Sequence, residues 1–183
     1  RLFVDSVIPA FEKLKDEGLI GAWGITGIGV PDAILETIEG SPPPQAIQVI
    51  TNLLDSPGAL KRFEGPAKPR EITAAAHRRG VGVMGIRAVQ AGALTSEFDR
   101  QLPDDHPDVA DYLRAAAFRD LSRELGESPA ALAHRYALSM NGVATVVLGV
   151  KNRAELEECV EAEAKGRLAP EVMARIDGTV VRG

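Results

Sequence analysis

A chain of 183 residues that is 45% hydrophobic and 26% charged has enough apolar matter for one domain with a real core, and lacks the charge excess that keeps chains disordered. Its net charge of −5, with basic residues scattered along the sequence, excludes a broad nucleic-acid or anionic-membrane surface. The single cysteine, Cys159, excludes an internal disulfide and a cysteine-rich metal cage, and no apolar run approaches the roughly 20 residues needed to span a bilayer.

A reducing cytoplasm is the location expected from this cysteine usage and the absence of a leader ahead of the first helix. The chain opens Arg1-Leu2-Phe3-Val4 without an initiator methionine, so a piece of a longer polypeptide is expected. Ser6 is placed to cap a helix whose Val7, Phe11 and Leu14 share one face, with Gly18 at its end. The segment 19–26, LIGAWGIT, is short and mostly apolar, as a strand covered on both faces would be. Pro31 opens a second helix through Ile34, Leu35 and Ile38, and a proline connector at 42–44 leads to a strand over 46–50. A long loop, 52–68, precedes a helix from Pro69 to Gly80 and a third strand, 81–86.

A second long loop, 87–106, runs into a helix ending near Gly126, and Ser128-Pro129 begins another through Leu132, Tyr136 and Met140. The fourth strand is expected over 143–149. Asn152 then caps a helix with Glu155 as its capping-box partner, and Pro170 begins the last helix. Four strands alternating with helices predict a parallel sheet with right-handed crossovers. Helix-to-strand connections are tight at Gly18, Gly80 and Asn141-Gly142, whereas those leaving the second and third strands are long. In a βα barrel the loops after the strands build the active site, so the long loops mark the functional end. Periodicity allows two architectures: half of an eight-stranded barrel, or a small open doubly wound sheet. A half-barrel would leave its edges and inner face uncovered and would dimerise or recruit its other half.

The segment 80–85, GVGVMG, matches a dinucleotide fingerprint in letters, but Gly80 closes a helix and the run is itself a strand, so it is not a Rossmann site. His77, His106 and His134 are too scattered for a metal or a triad. An amide inside an apolar strand, Gln48, calls for buried partners.

The segment 128–156, SPAALAHRYALSMNGVATVVLGVKNRAEL, resembles the C-terminal signature of aldo/keto reductases. Upstream, EKLKDEGLIGAWGIT resembles the family's fourth helix and fifth strand, IQVITNLLD its sixth strand, and RRGVGVMGIRAVQAGALT its seventh strand and glycine loop. The resemblance covers nearly all of residues 1–183, read as a single domain, and keeps family order. It implies a (β/α)8 TIM barrel of which this chain supplies strands five to eight. It implies an oxidoreductase that moves a hydride between NADP or NAD and an aldehyde, ketone or alcohol, without metal.

The family's catalytic tyrosine, lysine, aspartate and histidine belong to the first four strands, so no catalytic residue is assigned here and the chain alone is expected to be inactive. The resemblance places Thr26 and Gln48 on the nicotinamide carboxamide, Ile86 under the ring where an aromatic is usual, and Arg87 where a serine commonly meets the pyrophosphate, able to bind phosphate or stack on a ring; Val89 and Gly92 match the loop's remaining landmarks. Gly149, Lys151, Asn152 and Glu155 fall at the turn that holds the adenosine ribose or its 2′-phosphate. Gly27 replaces a family asparagine, Glu155 stands where arginine is common in NADP-selective members, and Cys159 replaces an asparagine at the adenine. NAD and NADP both remain open. Arg87 has an alternative role in pairing with Glu97 or Asp99, and Asn152 and Glu155 also serve as a plain cap. The implied partners are a small carbonyl substrate, the N-terminal barrel half and a second copy in a homo-oligomer. The alternative is a non-catalytic nicotinamide-binding or regulatory subunit.

Overall fold

Proline starts six of the eight α-helices among the described residues, where its missing N–H costs nothing and its φ is preset. The structure, a computed structural model, describes residues 2–181. In chain order the elements are α1 (Ile8–Asp16), β1 (Gly24–Thr26), α2 (Pro31–Glu39), β2 (Ala46–Ile50), α3 (Pro69–Arg78), β3 (Gly82–Ile86), α4 (Pro107–Arg114), α5 (Ala116–Glu124), α6 (Pro129–Ser139), β4 (Val143–Val146), α7 (Arg153–Ala164) and α8 (Pro170–Asp177). Ser128 and Asn152 cap α6 and α7 as their sequence context predicts, accepting from Ala131 N and Glu155 N.

The four strands form one parallel sheet in the order β1-β2-β3-β4. That monotonic order contains no reversal, hence none of the switch points that define a doubly wound sheet. One face is covered. Ile47, Val49 and Val83 are buried in a core shared with Ile38 of α2, Ile72, Ala75 and Ala76 of α3, Phe118 of α5 and Leu132 and Tyr136 of α6. The opposite face is open: Thr26 and Thr145 are exposed, and Gln48, Met84 and Ile86 are only half-buried. Parallel sheets are ordinarily covered on both faces.

Several boundaries differ from the sequence reading. Ser6 lies inside a π turn, Phe3–Val7, so it is not the cap of α1; Pro9 supplies the start instead. Residues 19–23 do not extend β1, because the chain there turns to bury Trp23 against α1, where it stacks on Phe11 at 5.7 Å. Leu19 is exposed. The helix after the second long loop is two helices, broken at Ala115, whose φ and ψ of −84° and 9° leave the helical well. Strand β4 ends at Val146, three residues early, because only Val147 N continues the ladder, to Gly85 O. A bulge between Val83 and Met84 shifts its register.

Seven of the twelve exposed large apolar residues among the described ones lie beside the sheet's two edges; Leu2, Val4, Leu60, Leu113 and Val181 lie elsewhere. Leu19 and Val30 flank β1, while Val147, Leu148, Val150, Leu156 and Val160 follow β4 and line α7. No helix among the described residues is long and apolar enough to cross a membrane.

Candidate functional site

Register places Thr26, Gln48, Met84 and Thr145 in one row across all four strands, on the open face. Side chains in register on parallel strands point the same way, so the row is a stripe of two polar residues, one apolar and one polar, crossing β2 and β3 at their centres. Thr26 Oγ1 donates to Gln48 Oε1 at 3.4 Å. The Gln48 amide is therefore not buried among partners, as its apolar strand implied; it is half-exposed, with its Nε2 left for another group. Met84 and Thr145 complete the row and carried no motif in the sequence. Ile86 lies one row nearer the loops, opposite Ile50. Beside the row, a Cβ on Gly27 would sit 2.8 Å from Gln48 O and 2.9 Å from Ile47 Cδ1, so the absence of a side chain there is required by strand packing.

Arg87 leaves the end of β3 with φ of 58°, and Gln90 and Ala91 also adopt left-handed angles. Three such non-glycine residues within five positions store backbone strain, each costing on the order of 1–3 kcal/mol. A buried polar hub holds them. Arg87 Nε donates to Gln90 Oε1 at 2.8 Å, and Gln90 Nε2 donates to Asp111 Oδ2 at 2.6 Å. Asn52 Nδ2 reaches the same Gln90 Oε1 at 3.2 Å, while its Oδ1 accepts from Leu54 N and Ser56 N. Arg87 Nη2 lies 3.5 Å from Asp108 Oδ1, and Arg100 Nη2 donates to Asp108 Oδ2 at 2.6 Å. The guanidinium of Arg87, 18% exposed, is thus turned into the joint between the two long loops. Its partners are Gln90 and Asp108, not Glu97 or Asp99. Val89 contributes its carbonyl to the same turn, accepting from Gly92 N and Leu94 N. Gln90, Asn52, Asp108 and Asp111 were missed in the sequence; the available signal was their polarity directly after a strand or at a helix start.

The turn after β4 carries the last group. Asn152 Oδ1 accepts from Glu155 N at 2.9 Å, and the Glu155 carboxylate accepts from Lys151 N at 2.8 Å and from Asn152 Nδ2 at 3.2 Å. The capping box is real, with its reciprocal bond moved one residue back to Lys151 N. Lys151 Nζ contacts Asp99 in the second long loop, which raises the ammonium's pKa and lowers that of the carboxyl. Gly149 stands in open space. The structure brings Thr26, Gln48 and Ile86 together on the sheet, Arg87 and Val89 together in the loop, and Gly149 to Glu155 together beside them.

Other chemistry-bearing groups lie elsewhere. Tyr136 is fully buried and bonded to Arg70 and Asp177, and Tyr112 packs on α4 against Phe98, so both tyrosines are packing residues. Cys159 Sγ lies 3.8 Å from Nε2 of His134, but burial pushes the thiol up and the imidazole down, which keeps both neutral. Among the described residues no group of three or more His, Cys, Asp or Glu could hold a metal ion. A cleft of about 750 Å³ opens between residues 54–71 and α4. It lies away from the row on the sheet.

Comparison with known proteins decides the assignment. The chain matches the Aldo/keto reductase family over residues 4–180. It belongs to the aldo/keto reductase family. As such it is 27% identical over 169 residues to L-galactose dehydrogenase from Arabidopsis thaliana, covering 87% of this chain and 47% of that enzyme. The aldo-keto reductase AKR11C1 from Bacillus halodurans, in its holo form, superposes with a TM-score of 0.73 at 26% identity, covering 98% of this chain and 57% of that one. An aldo-keto reductase from a Medee basin deep-sea metagenome library shares the fold, with a TM-score of 0.60 at 14% identity over 96% of this chain and 53% of its own. This member of the family thus spans about half the length of the relatives it matches.

Proposed function

We propose that this chain is the dinucleotide-holding half of a (β/α)8 reductase, supplying strands five to eight and acting as one domain with an N-terminal half that covers its open sheet face. The carrying observation is the row Thr26–Gln48–Met84–Thr145 on that face. A carboxamide needs one donor and one acceptor side by side, which Thr26 and Gln48 supply 3.4 Å apart. Ile86 and Met84 offer apolar contact for a flat ring. The strained loop held by the Arg87 and Gln90 hub follows β3, and the Gly149 to Glu155 turn follows β4 at the start of α7 and meets the same loop through Lys151 and Asp99.

Bound there, the nicotinamide would supply the hydride for a carbonyl substrate. This chain's residues would orient the ring through Thr26 and Gln48 and fix the loops around it. The proton donor and its tuning groups would come from the covering half. The exposed apolar residues at both sheet edges support that partner, since they would otherwise face water. A reducing cytoplasm suits its single buried thiol.

The test is steady-state reduction of a generic aromatic aldehyde. The 183-residue chain alone is expected to show no turnover, and turnover is expected once the N-terminal βα units of a related reductase are supplied. Turnover by the chain alone at the rate of a complete enzyme would place the catalytic groups within it and overturn this reading.

A further inference from the structure

The cleft of about 750 Å³ between residues 54–71 and α4 plays no part in the proposed reductase site, yet its size falls in the range of roughly 300–1,000 Å³ that takes small organic ligands. Its walls are locked together. Asp108, at the start of α4, accepts from Ala59 N at 3.2 Å, and a Cβ on Gly58 would meet Asp108 Oδ1 at 2.1 Å, so the loop lies directly on the helix. Pro57 on one wall and Pro107 on the other fix the backbone further, while Leu54, Ala59 and Ala110 give the cleft an apolar part. The cleft is therefore preformed.

Its charge runs against that of the chain. The whole sequence carries −5, whereas five cations and three carboxylates line the cleft. Arg70 is neutralised by Asp55 at 2.7 Å, Arg114 by Asp111 at 2.8 Å, and Lys68 by Asp32 of α2 at 2.9 Å, with Glu71 also acting on Lys68. Lys61 and Arg62 form no ion pair among the described residues. Arg62 Nη1 donates to Ala59 O at 2.6 Å and to Lys61 O at 2.9 Å, which orients the guanidinium at the exposed rim and leaves its Nε and Nη2 available. Lys61 Nζ stands 5.7 Å from the centroid of Phe63. Two unneutralised cations beside an apolar lining suit an oxyanion on a small apolar body, because guanidinium and ammonium groups recognise carboxylate and phosphate through charge-assisted hydrogen bonds.

We propose that this cleft is a separate binding site for a small organic anion, a carboxylate or phosphate joined to an apolar body, with Arg62 and Lys61 holding the oxyanion. The inference is independent of the dinucleotide reading.

The test is titration of the isotope-labelled chain with phenyl phosphate and with benzoate, followed by the backbone amide shifts, with benzamide as the uncharged control. Saturable shifts centred on residues 54–71 and 107–114 are expected, with dissociation constants on the order of 1 mM at low salt. The anion that binds more tightly identifies the headgroup. Arg62→Gln and Lys61→Gln alter exposed side chains, so the fold is retained while each weakens binding about tenfold, the worth of one charge-assisted hydrogen bond. Arg123→Gln, on the exposed face of α5, is expected to leave binding unchanged. The site is overturned if no saturable shift appears in the cleft, if benzamide binds as tightly as benzoate, or if Arg62→Gln loses no more affinity than Arg123→Gln. A dinucleotide on the sheet is read from the amides around Thr26 and Gln48, so failure here leaves the reductase reading standing.

Discussion

Replacing Asp108 by alanine is expected to destabilise the chain by about 3–5 kcal/mol, the usual cost of removing one member of a buried ion pair. The side chain is 3% exposed and accepts from Ala59 N at 3.2 Å and Arg100 Nη2 at 2.6 Å, with Arg87 Nη2 at 3.5 Å. Its loss leaves the guanidinium of Arg87 facing Arg100, with Gln90 as its remaining neutral partner. Urea denaturation followed by circular dichroism measures the effect; a change under about 1 kcal/mol, typical of a surface site, would show that the hub does not hold the loops. Burial pushes the Asp108 carboxyl up, but the Arg100 and Ala59 hydrogen bonds and the charges of Arg100 and Arg87 outweigh it and leave it below the ordinary carboxylate range. A depressed carboxyl contributes stability above its unfolded pKa of about 3.9 and loses it as pH falls through the folded value. Unaltered chain should therefore lose stability below about pH 4 more steeply than Asp108→Asn.

Tyr136 is the second large effect. The ring is fully buried in the core, and its hydroxyl bonds to Arg70 and Asp177, joining α3, α6 and α8. Tyr136→Ala is expected to cost about 3–5 kcal/mol from cavity formation, and Tyr136→Phe about 1 kcal/mol from the hydrogen bonds it removes, since Arg70 and Asp177 still face each other and are partly exposed. Burial and the bond to Asp177 push the phenol up to about 12, against the opposing pull of Arg70. A phenol whose folded pKa lies above its unfolded value of about 10 gives its full stabilisation below pH 10 and loses it as pH rises toward 12. Thermal melts from pH 9 to 11 should show a declining midpoint that is flatter in Tyr136→Phe. Parallel slopes for the two proteins would contradict this account of the hydroxyl.

The contrast between these residues shows what a sequence discloses. Strands β2 and β3 were legible because each is a short apolar run bounded by turns, and the caps Ser128 and Asn152 because capping is a local rule. The false extension of β1 came from the same rule: the 19–23 run is apolar, but the Trp23 ring packs on α1, and of this run only the Trp23 carbonyl makes a backbone–backbone bond toward β2, accepting from Gln45 N. Thr26 and Gln48 were placed by resemblance, and register brings them side by side. The Arg87 hub was not legible, since Asn52 and Gln90 are 38 residues apart and nothing local announces that they meet. Glu97 and Asp99 are nearer Arg87 in sequence than Asp108, yet the left-handed turn at Arg87 aims the guanidinium at α4. The open sheet face was foreseen as a consequence of half a barrel, and its row of half-exposed residues is where the cofactor reading is most exposed to test.

That test is calorimetric titration of NADH into the 183-residue chain and into its Gln48→Ala variant. The account predicts saturable one-to-one binding that the substitution weakens about tenfold, the worth of one good hydrogen bond to a carboxamide. No binding to the unaltered chain, or equal binding to both proteins, would contradict it.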